Sequence, residues 1–220
     1  MTILLAFVLS LFLGPQEAER PPRFDYLVRA DFFAGVAGDE ARLAKAIDLC
    51  ERTLAANPKQ PEALVWHGAG LVVRAGQAFL KGDMAAGGPL IDRGLAEMAE
   101  AVSLAPDNPG VLIPRAAVLL EATGRMPPEM ARPLLESAVQ NYEHVLEIQA
   151  PIFATLGAPG ASCGLADGWH RLGDHDKARR YFDRLLADAP TSGQAPKARE
   201  WIATGTVPKS SGASCVGCHK

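Results

Sequence analysis

The stretch of sequence that decides the predicted fold is SCGLADGWHRLGDHDKARRYFDRLLADAP, residues 162–190. Small and apolar residues recur in it at spacings of three and four, which is typical of amphipathic helices. The pair Gly173-Asp174 stands where a glycine would end a first helix, and Pro190 would end a second one because proline cannot continue a helix. The pattern therefore predicts a helix, a tight turn and a second helix.

The same order of features is found three more times upstream. Segments with the pattern of the second helix lie at residues 46–58, 94–109, 134–149 and 177–190. A more apolar helix precedes each of them, at residues 24–37, 61–81, 110–123 and 162–172. The turns between them contain Gly38-Asp39, Gly82-Asp83, Gly124-Arg125 and Gly173-Asp174. With a last helix at residues 195–203, the sequence predicts an all-α chain of about four helical hairpins and a closing helix.

Residues 162–190 resemble the tetratricopeptide repeat. The signature positions of that family are matched by Leu165, Ala166, Trp169, Gly173, Asp174, Ala178, Phe182 and Pro190. A second, partial match consists of Leu64, Gly68, Ala101 and Pro106. The resemblance covers about residues 24–202 and implies a TPR-like stack of helical hairpins in residues 24–203, with a concave surface that binds peptides or proteins.

The spacing of the helix-ending prolines departs from that family. Pro58, Pro106 and Pro190 are 48 and then 84 residues apart, which corresponds to units of about 42 residues against 34 in the tetratricopeptide repeat. The extra length falls in residues 82–89 and 150–161, which are rich in Gly, Ala and Pro. We expect both segments to be loops, and loops of this length in a compact array are often functional.

An apolar run, ILLAFVLSLFL, occupies residues 3–13. It is shorter than the roughly 20 residues that a membrane-spanning helix needs, and it matches the apolar region of a secretory signal, although no Lys or Arg precedes it. We expect a signal peptide over residues 1–18, no integral membrane span after its removal, and a periplasmic or extracellular protein. The alternative is an uncleaved anchor or a buried helix.

A chemical signal lies in the last seven residues, SCVGCHK. Cys215, Cys218 and His219 form the pattern Cys-x-x-Cys-His, which is a c-type haem attachment motif. Two thiols three positions apart can form thioethers with the two vinyl groups of one haem, and the adjacent imidazole is then placed to bind the iron as the proximal ligand. We expect one covalent haem c per chain, carried in residues 204–220 on a flexible tether that spans residues 204–214.

The same residues allow two other interpretations, a redox-active dithiol and half of a zinc site. A thioredoxin-like pair occurs in a βαβ context, which the helical pattern does not provide. A structural zinc site needs four ligands, and the sequence has no second Cys/His pair at a suitable spacing. The haem motif is therefore the preferred interpretation.

The iron of such a haem needs a sixth ligand from elsewhere, since only Lys220 follows His219 in this sequence. The ligand can come from the repeats, from another chain or from solvent. His170 is the distal candidate within the chain, because it lies on the first helix of the best-matching repeat, and Asp167 and Arg171 are expected to share its face and to reach the haem propionates. The other candidates are expected as follows: His67 and Met98 in the core, His144 and His175 in solvent, and Met84 in a loop.

The other two cysteines, Cys50 and Cys163, fall in the first and fourth predicted units. Stacked repeats contact only their neighbours, and a disulfide needs Cα atoms within about 7 Å. We therefore expect both residues to be buried small hydrophobes and not to form a bridge.

Composition restricts the function further. The chain has 22 Lys and Arg against 25 Asp and Glu, a net charge of −3, which gives no electrostatic basis for binding nucleic acid. It also lacks a nucleophile–base set, a paired-carboxylate motif and a phosphate-binding loop.

We therefore predict an electron-transfer protein and not an enzyme. It would be an exported monohaem c-type cytochrome on a TPR-like scaffold, acting with a redox partner protein or with neighbouring copies of itself in an oligomer or filament. The alternative is a periplasmic protein-interaction scaffold in which the haem is sensory or regulatory. A third, weaker hypothesis is a haem enzyme, such as a peroxidase, with an open iron site.

Overall fold

A computed structural model describes residues 23–152 and 158–206. The regular elements in these two ranges are helices, and neither range contains a β-strand. In chain order the helices are α1 Phe24–Val36, α2 Glu40–Ala56, α3 Pro61–Leu80, α4 Met84–Leu104, α5 Pro109–Thr123, α6 Pro128–Ile148, α7 Pro159–Leu172, α8 His175–Asp188 and α9 Ala195–Thr204. The prediction of an all-helical chain is confirmed for these ranges.

A Gly-Asp pair separates the two helices of three hairpins. Gly38, Gly82 and Gly173 have φ angles of 109°, 79° and 91°, a left-handed conformation that glycine adopts without steric conflict. The Asp after each glycine caps the next helix, as Asp174 does by accepting a hydrogen bond of 2.9 Å from the backbone N–H of Lys177. The turn after α5 differs from the predicted pattern, because its glycine at position 124 has a φ of −63° and stays in the right-handed region.

Consecutive helices pair with one another, and each pair contacts the next. α1 packs on α2, α3 on α4, α5 on α6 and α7 on α8, and α9 packs on α8. The first helices of successive pairs also touch, α1 with α3, α3 with α5 and α5 with α7. α2 contacts α3, α4 contacts α5 and α6 contacts α7. The described part of the chain is thus a series of helix pairs joined mainly through neighbouring pairs.

A close crossing of α3 and α4 depends on two glycines. A Cβ atom on Gly68 would lie 2.6 Å from the carbonyl oxygen of Gly94, and a Cβ atom on Gly94 would lie 2.6 Å from the carbonyl oxygen of Gly68. A side chain at either position would therefore push the two backbones apart. Met98, which the sequence predicts to lie in the core, is fully buried beside this crossing.

The prediction of a loop at residues 82–89 is wrong, because α4 begins at Met84 and contains Pro89. Pro89 is the sixth residue of a helix of 21 residues, so it removes one backbone hydrogen bond near the start of the helix. Gly87 fits against the ring of Phe79 on α3, where a Cβ atom would lie 2.2 Å from a ring carbon. Packing of α4 against α3 outweighs the local effect of the proline.

The predicted loop at residues 150–161 is only partly a loop. Residues 150–152 are helical, and α7 begins at Pro159, three residues before the predicted start of that helix. Proline suits the first position of a helix because the N–H that it lacks would have no partner there. Residues 153–157 lie outside the described ranges.

Two hydrophobic clusters form the interior. The larger one contains buried side chains from α1 to α7, among them Phe32 and Trp66. The smaller one joins α7, α8 and α9 and includes Phe182 and Trp201. Among the helices of residues 23–152 and 158–206, none is both long and apolar enough to cross a membrane.

Candidate functional site

Most of the residues with predicted roles in haem attachment lie beyond the described ranges. Cys215, Cys218 and His219 belong to residues 207–220, and the predicted signal peptide belongs to residues 1–22, and both segments lie outside the described ranges. On the scaffold side, the candidate site begins with His170.

His170 lies in the last turn of α7 and contacts Trp201 of α9. The indole Nε1–H of Trp201 donates a hydrogen bond of 3.2 Å to His170 Nδ1, and the two rings meet edge to face with centroids 5.6 Å apart. Because an indole N–H can only donate, His170 Nδ1 must be an unprotonated acceptor. The neutral ring then carries its proton on Nε2. Burial, helped by the neighbouring His175, lowers the pKa of His170 below its ordinary value, which favours this neutral form.

His175 is the second imidazole at this position and is the first residue of α8. Its Nδ1 lies 3.1 Å from His170 Nδ1, with ring centroids 4.8 Å apart. Since His170 Nδ1 is an acceptor, the proton of this contact belongs to His175 Nδ1, which shares the single lone pair of His170 Nδ1 with the Trp201 N–H. In this tautomer of His175, Nε2 carries a lone pair. His175 is exposed as the sequence predicts, but it lies at a helix start and is held by His170.

The exposed side of His175 borders an open concavity of about 560 Å³. Its other lining residues are Leu172, Gly173, Asp174 and Asp176. Gly173 contributes no side chain, and the left-handed turn at that residue leads the chain from His170 to His175. The imidazole of His175 is therefore accessible from solvent at this concavity.

Arg171 does not lie free beside His170, as the haem-propionate prediction would require. Its guanidinium donates hydrogen bonds of 2.8 Å to the backbone carbonyl of Leu120 and to Thr123 Oγ1, near the end of α5. Asp167 Oδ2 lies 4.0 Å from the same guanidinium. Successive residues of a helix point about 100° apart, so Arg171 ties α7 to α5 while His170 faces α9.

The other predicted ligand candidates occupy varied environments. His67 is buried as expected, with Nδ1 2.5 Å from Glu97 Oε2. His144 is partly exposed on α6, with Nε2 2.7 Å from Asp107 Oδ1 and Nδ1 3.4 Å from Glu147 Oε2. Hydrogen bonds to these two carboxylates raise the pKa of His144. Met84 is exposed, at the first position of α4. These three side chains lie on α3, α6 and α4, whereas His170 and His175 lie on α7 and α8.

Glu97 is the acid partner of the buried histidine. Burial pushes the pKa of Glu97 upward, but the hydrogen bonds and charges of His67 and Arg93 outweigh that effect and leave the pKa below its ordinary value. Cys50 lies nearby in the larger cluster, where burial and the charges of Glu51 and Glu97 raise the pKa of its thiol to about 12. Such a thiol is inert as a nucleophile, in agreement with the prediction that Cys50 is a small buried hydrophobe. Cys163 is also buried, in the smaller cluster.

A network around Glu143 was not anticipated from the sequence. Glu143 Oε1 accepts hydrogen bonds from Trp169 Nε1 at 3.2 Å and from the Tyr181 hydroxyl at 3.1 Å. Burial and the negative charge of Glu143 raise the pKa of Tyr181 to about 12, and Lys177 Nζ lies 3.6 Å from the centre of the Trp169 ring. Aromatic residues with a polar tip at facing helix positions are the signal that could have suggested such a network.

Among the described residues, no three His, Cys, Asp or Glu side chains are grouped so that they could hold a metal ion. A haem iron makes a smaller demand on the protein, since the macrocycle supplies four of its ligands. Comparison with known proteins adds no further guide, because no protein-family model matches the chain and no curated protein matches it.

Proposed function

We propose that this protein is an exported monohaem c-type cytochrome, built on a TPR-like array of helical hairpins, that transfers single electrons. Its partner is a redox protein or a neighbouring copy of the same chain. The observation that carries the proposal is the sequence Cys-x-x-Cys-His at residues 215–219. When bound, a haem supplies an iron that exchanges one electron.

The residues of the motif are sufficient for covalent attachment of a haem. Each thiol, Cys215 and Cys218, would add across one vinyl double bond of a haem, so that a carbon–sulfur bond would form and the thiol hydrogen would move to the neighbouring carbon. The reaction consumes no oxidant or reductant. His219 would supply the proximal imidazole, and export to a compartment where haem c is attached agrees with the predicted signal peptide at residues 1–18.

The helical scaffold supports the TPR-like part of the proposal through the environment of the signature residues. Leu165 and Ala166 of α7, and Ala178 and Phe182 of α8, are all buried. They hold α7 and α8 together as one hairpin, the arrangement that the resemblance implies for residues 162–190. The contacts of α1 with α3, α3 with α5 and α5 with α7 are also those that an array of successive hairpins requires.

Two features of the scaffold are compatible with the proposed haem. Its requirements are an accessible imidazole and a nearby point of departure for the haem-bearing tail. His175 is exposed beside an open concavity, and α9, which leads to the tail, packs on the same hairpin through Trp201.

The test is to express the full chain with the machinery that attaches haem c and to measure its mass and its absorption spectrum. We expect the mass of the processed chain plus one haem, a cut after residue 18, and the sharp bands of low-spin iron. The variant Cys215→Ser/Cys218→Ser should keep the helical circular dichroism but carry no covalent haem. Wild-type protein with the mass of the bare polypeptide would overturn the proposal.

The spectrum also separates the alternatives. Low-spin bands that are unchanged by carbon monoxide support electron transfer, because both axial positions are filled. A high-spin iron that binds carbon monoxide would support a sensor or an enzyme instead.

A further inference from the structure

Within the described ranges, His170 and His175 are joined by a contact between ring nitrogens, 3.1 Å long. Trp201 donates a second hydrogen bond to the same acceptor, His170 Nδ1. Three aromatic side chains from α7, α8 and α9 are thus held together at one end of the hairpin. Nothing in the packing of the core requires two imidazoles there, since His175 is exposed.

We propose that His175, through Nε2, is the ligand that this chain supplies to the sixth coordination position of the haem iron, and that His170 and Trp201 position its ring. The inference rests on the function proposed above. The sequence favours His170 as the ligand, whereas this inference assigns the role to His175, which is hydrogen-bonded to His170.

The first argument is the direction of the hydrogen bonds. A metal-binding histidine usually donates its second ring N–H to an acceptor, which fixes the tautomer and the orientation of the ring. His175 meets this condition, because its Nδ1–H points to His170 Nδ1 and leaves the lone pair on Nε2.

His170 does not meet the same condition. The single lone pair of its Nδ1 is shared by the N–H groups of Trp201 and His175, and its Nε2 therefore carries the proton. Binding iron through either nitrogen of His170 would require both of these hydrogen bonds to be given up or the ring to be reoriented.

The second argument is access. The ring of His175 is exposed and borders the open concavity beside Gly173, whereas the ring of His170 is partly covered by Trp201. A porphyrin is a broad plate and can approach an imidazole only from an open side. His175 offers such a side and His170 does not.

The third argument is the length of the chain between α9 and the motif. Trp201 lies three residues before Thr204, the last residue of α9, and its ring contacts His170, which in turn contacts His175. Residues 205–214 separate α9 from Cys215, and ten residues can extend over about 33–36 Å. The haem of the same chain can therefore reach His175, and no second copy is needed.

The experiment compares single variants of the haem-loaded full chain by absorption spectroscopy, with and without carbon monoxide. We expect His175→Ala to keep its covalent haem, to change from low-spin to high-spin and to bind carbon monoxide, and added imidazole should restore the low-spin bands. His170→Ala should remain low-spin but bind carbon monoxide more readily than the wild type, because the ring of His175 has lost its support. His144→Ala removes a partly exposed histidine on α6 and should leave the spectrum unchanged.

Several results would overturn the inference while leaving the proposed function intact. These are a haem-loaded His175→Ala protein that stays low-spin, a His170→Ala protein that becomes fully high-spin, and a wild-type protein that carries haem but is high-spin. Low-spin bands found only in oligomers, and lost in the monomer fraction of a sizing column, would overturn the same-chain ligand. A wild-type chain without covalent haem would overturn the proposed function and this inference together. Circular dichroism of each variant, compared with the wild type, shows that a spectral change is not due to unfolding.

Discussion

At the scale of single residues, some charged side chains at the edge of the core have specific partners. Glu97 shows how such a group links stability to pH. Its carboxylate contacts the buried ring of His67 at 2.5 Å and Arg93 at 2.8 Å. The charged form of Glu97 is therefore favoured in the folded state more than in the unfolded state, where both contacts are lost.

The first prediction concerns the variant Glu97→Gln. Because folding lowers the pKa of Glu97 below its ordinary value of 4.5, the carboxylate stabilises the fold above that pH and this contribution disappears as the pH falls through the folded-state pKa. Glu97→Gln should lower the free energy of unfolding at pH 7 by about 1–3 kcal/mol, and should lose less further stability than the wild type between pH 7 and pH 3. Urea denaturation at a series of pH values measures both effects.

The matched control for that prediction is Glu136→Gln. Glu136 pairs with Arg132 at 3.1 Å and the same spacing of four residues, but it lies on the surface and has no histidine partner. Its effect should be no more than about 0.5 kcal/mol at any pH. Equal pH profiles for the two variants would show that the buried contact with His67 contributes nothing.

At the scale of the helices, some boundaries are determined by neighbouring residues and others by packing against a different helix. The Gly-Asp turns were predictable from the sequence because a left-handed glycine and a capping aspartate act on residues next to them. The start of α4 was not, because Pro89 and three glycines favour a loop locally, whereas the contact of Gly87 with Phe79 depends on a different helix. Proline is tolerated there since it lies near the helix start and removes a single hydrogen bond.

The second prediction tests the crossing of α3 and α4 with two substitutions in one helix. Gly68→Ala should destabilise the protein by about 1–3 kcal/mol, because the new Cβ atom would meet the carbonyl oxygen of Gly94 at 2.6 Å. Gly76→Ala has nothing within 4 Å of the new atom and should stabilise α3 by about 0.4–1 kcal/mol. Thermal unfolding of both variants gives the two signs, and a shift in the same direction for both would contradict the crossing.

The third prediction concerns the link between α5 and α7. Arg171→Ala removes two hydrogen bonds, to the Leu120 carbonyl and to the buried hydroxyl of Thr123, and should cost about 1–3 kcal/mol of stability. Arg184→Ala removes only an exposed contact of 3.4 Å with Asp188 and should change stability by about 0.5 kcal/mol or less. The midpoints of urea unfolding compare them directly, and equal midpoints for the two variants would mean that Arg171 does not hold the helices together.

At the scale of the whole molecule, the sequence predicts the helix pairs better than it predicts contacts between residues that are distant in the chain. The helix pairs follow from a pattern that lies within about 30 residues. The group of His170, His175 and Trp201 does not, because Trp201 is 31 positions beyond His170 and because the direction of the shared hydrogen bonds decides which imidazole nitrogen is free. The sequence pattern therefore favours His170 of α7, whereas the hydrogen bonds and the exposure favour His175 of α8 as the candidate ligand.

The last prediction follows from the division of the interior into two hydrophobic clusters. Contacts between neighbouring helix pairs let one end of such a molecule open while the other stays folded. Trp201→Ala, which removes a buried ring 5.0 Å from Phe182, should speed amide hydrogen exchange in α7, α8 and α9 and leave α1 to α4 unchanged. Phe32→Ala, which removes a ring 5.0 Å from Trp66 at the other end of the chain, should do the reverse. Hydrogen exchange followed by mass spectrometry gives the rate for each helix, and uniform acceleration along the whole chain in either variant would mean that the two clusters unfold as one unit.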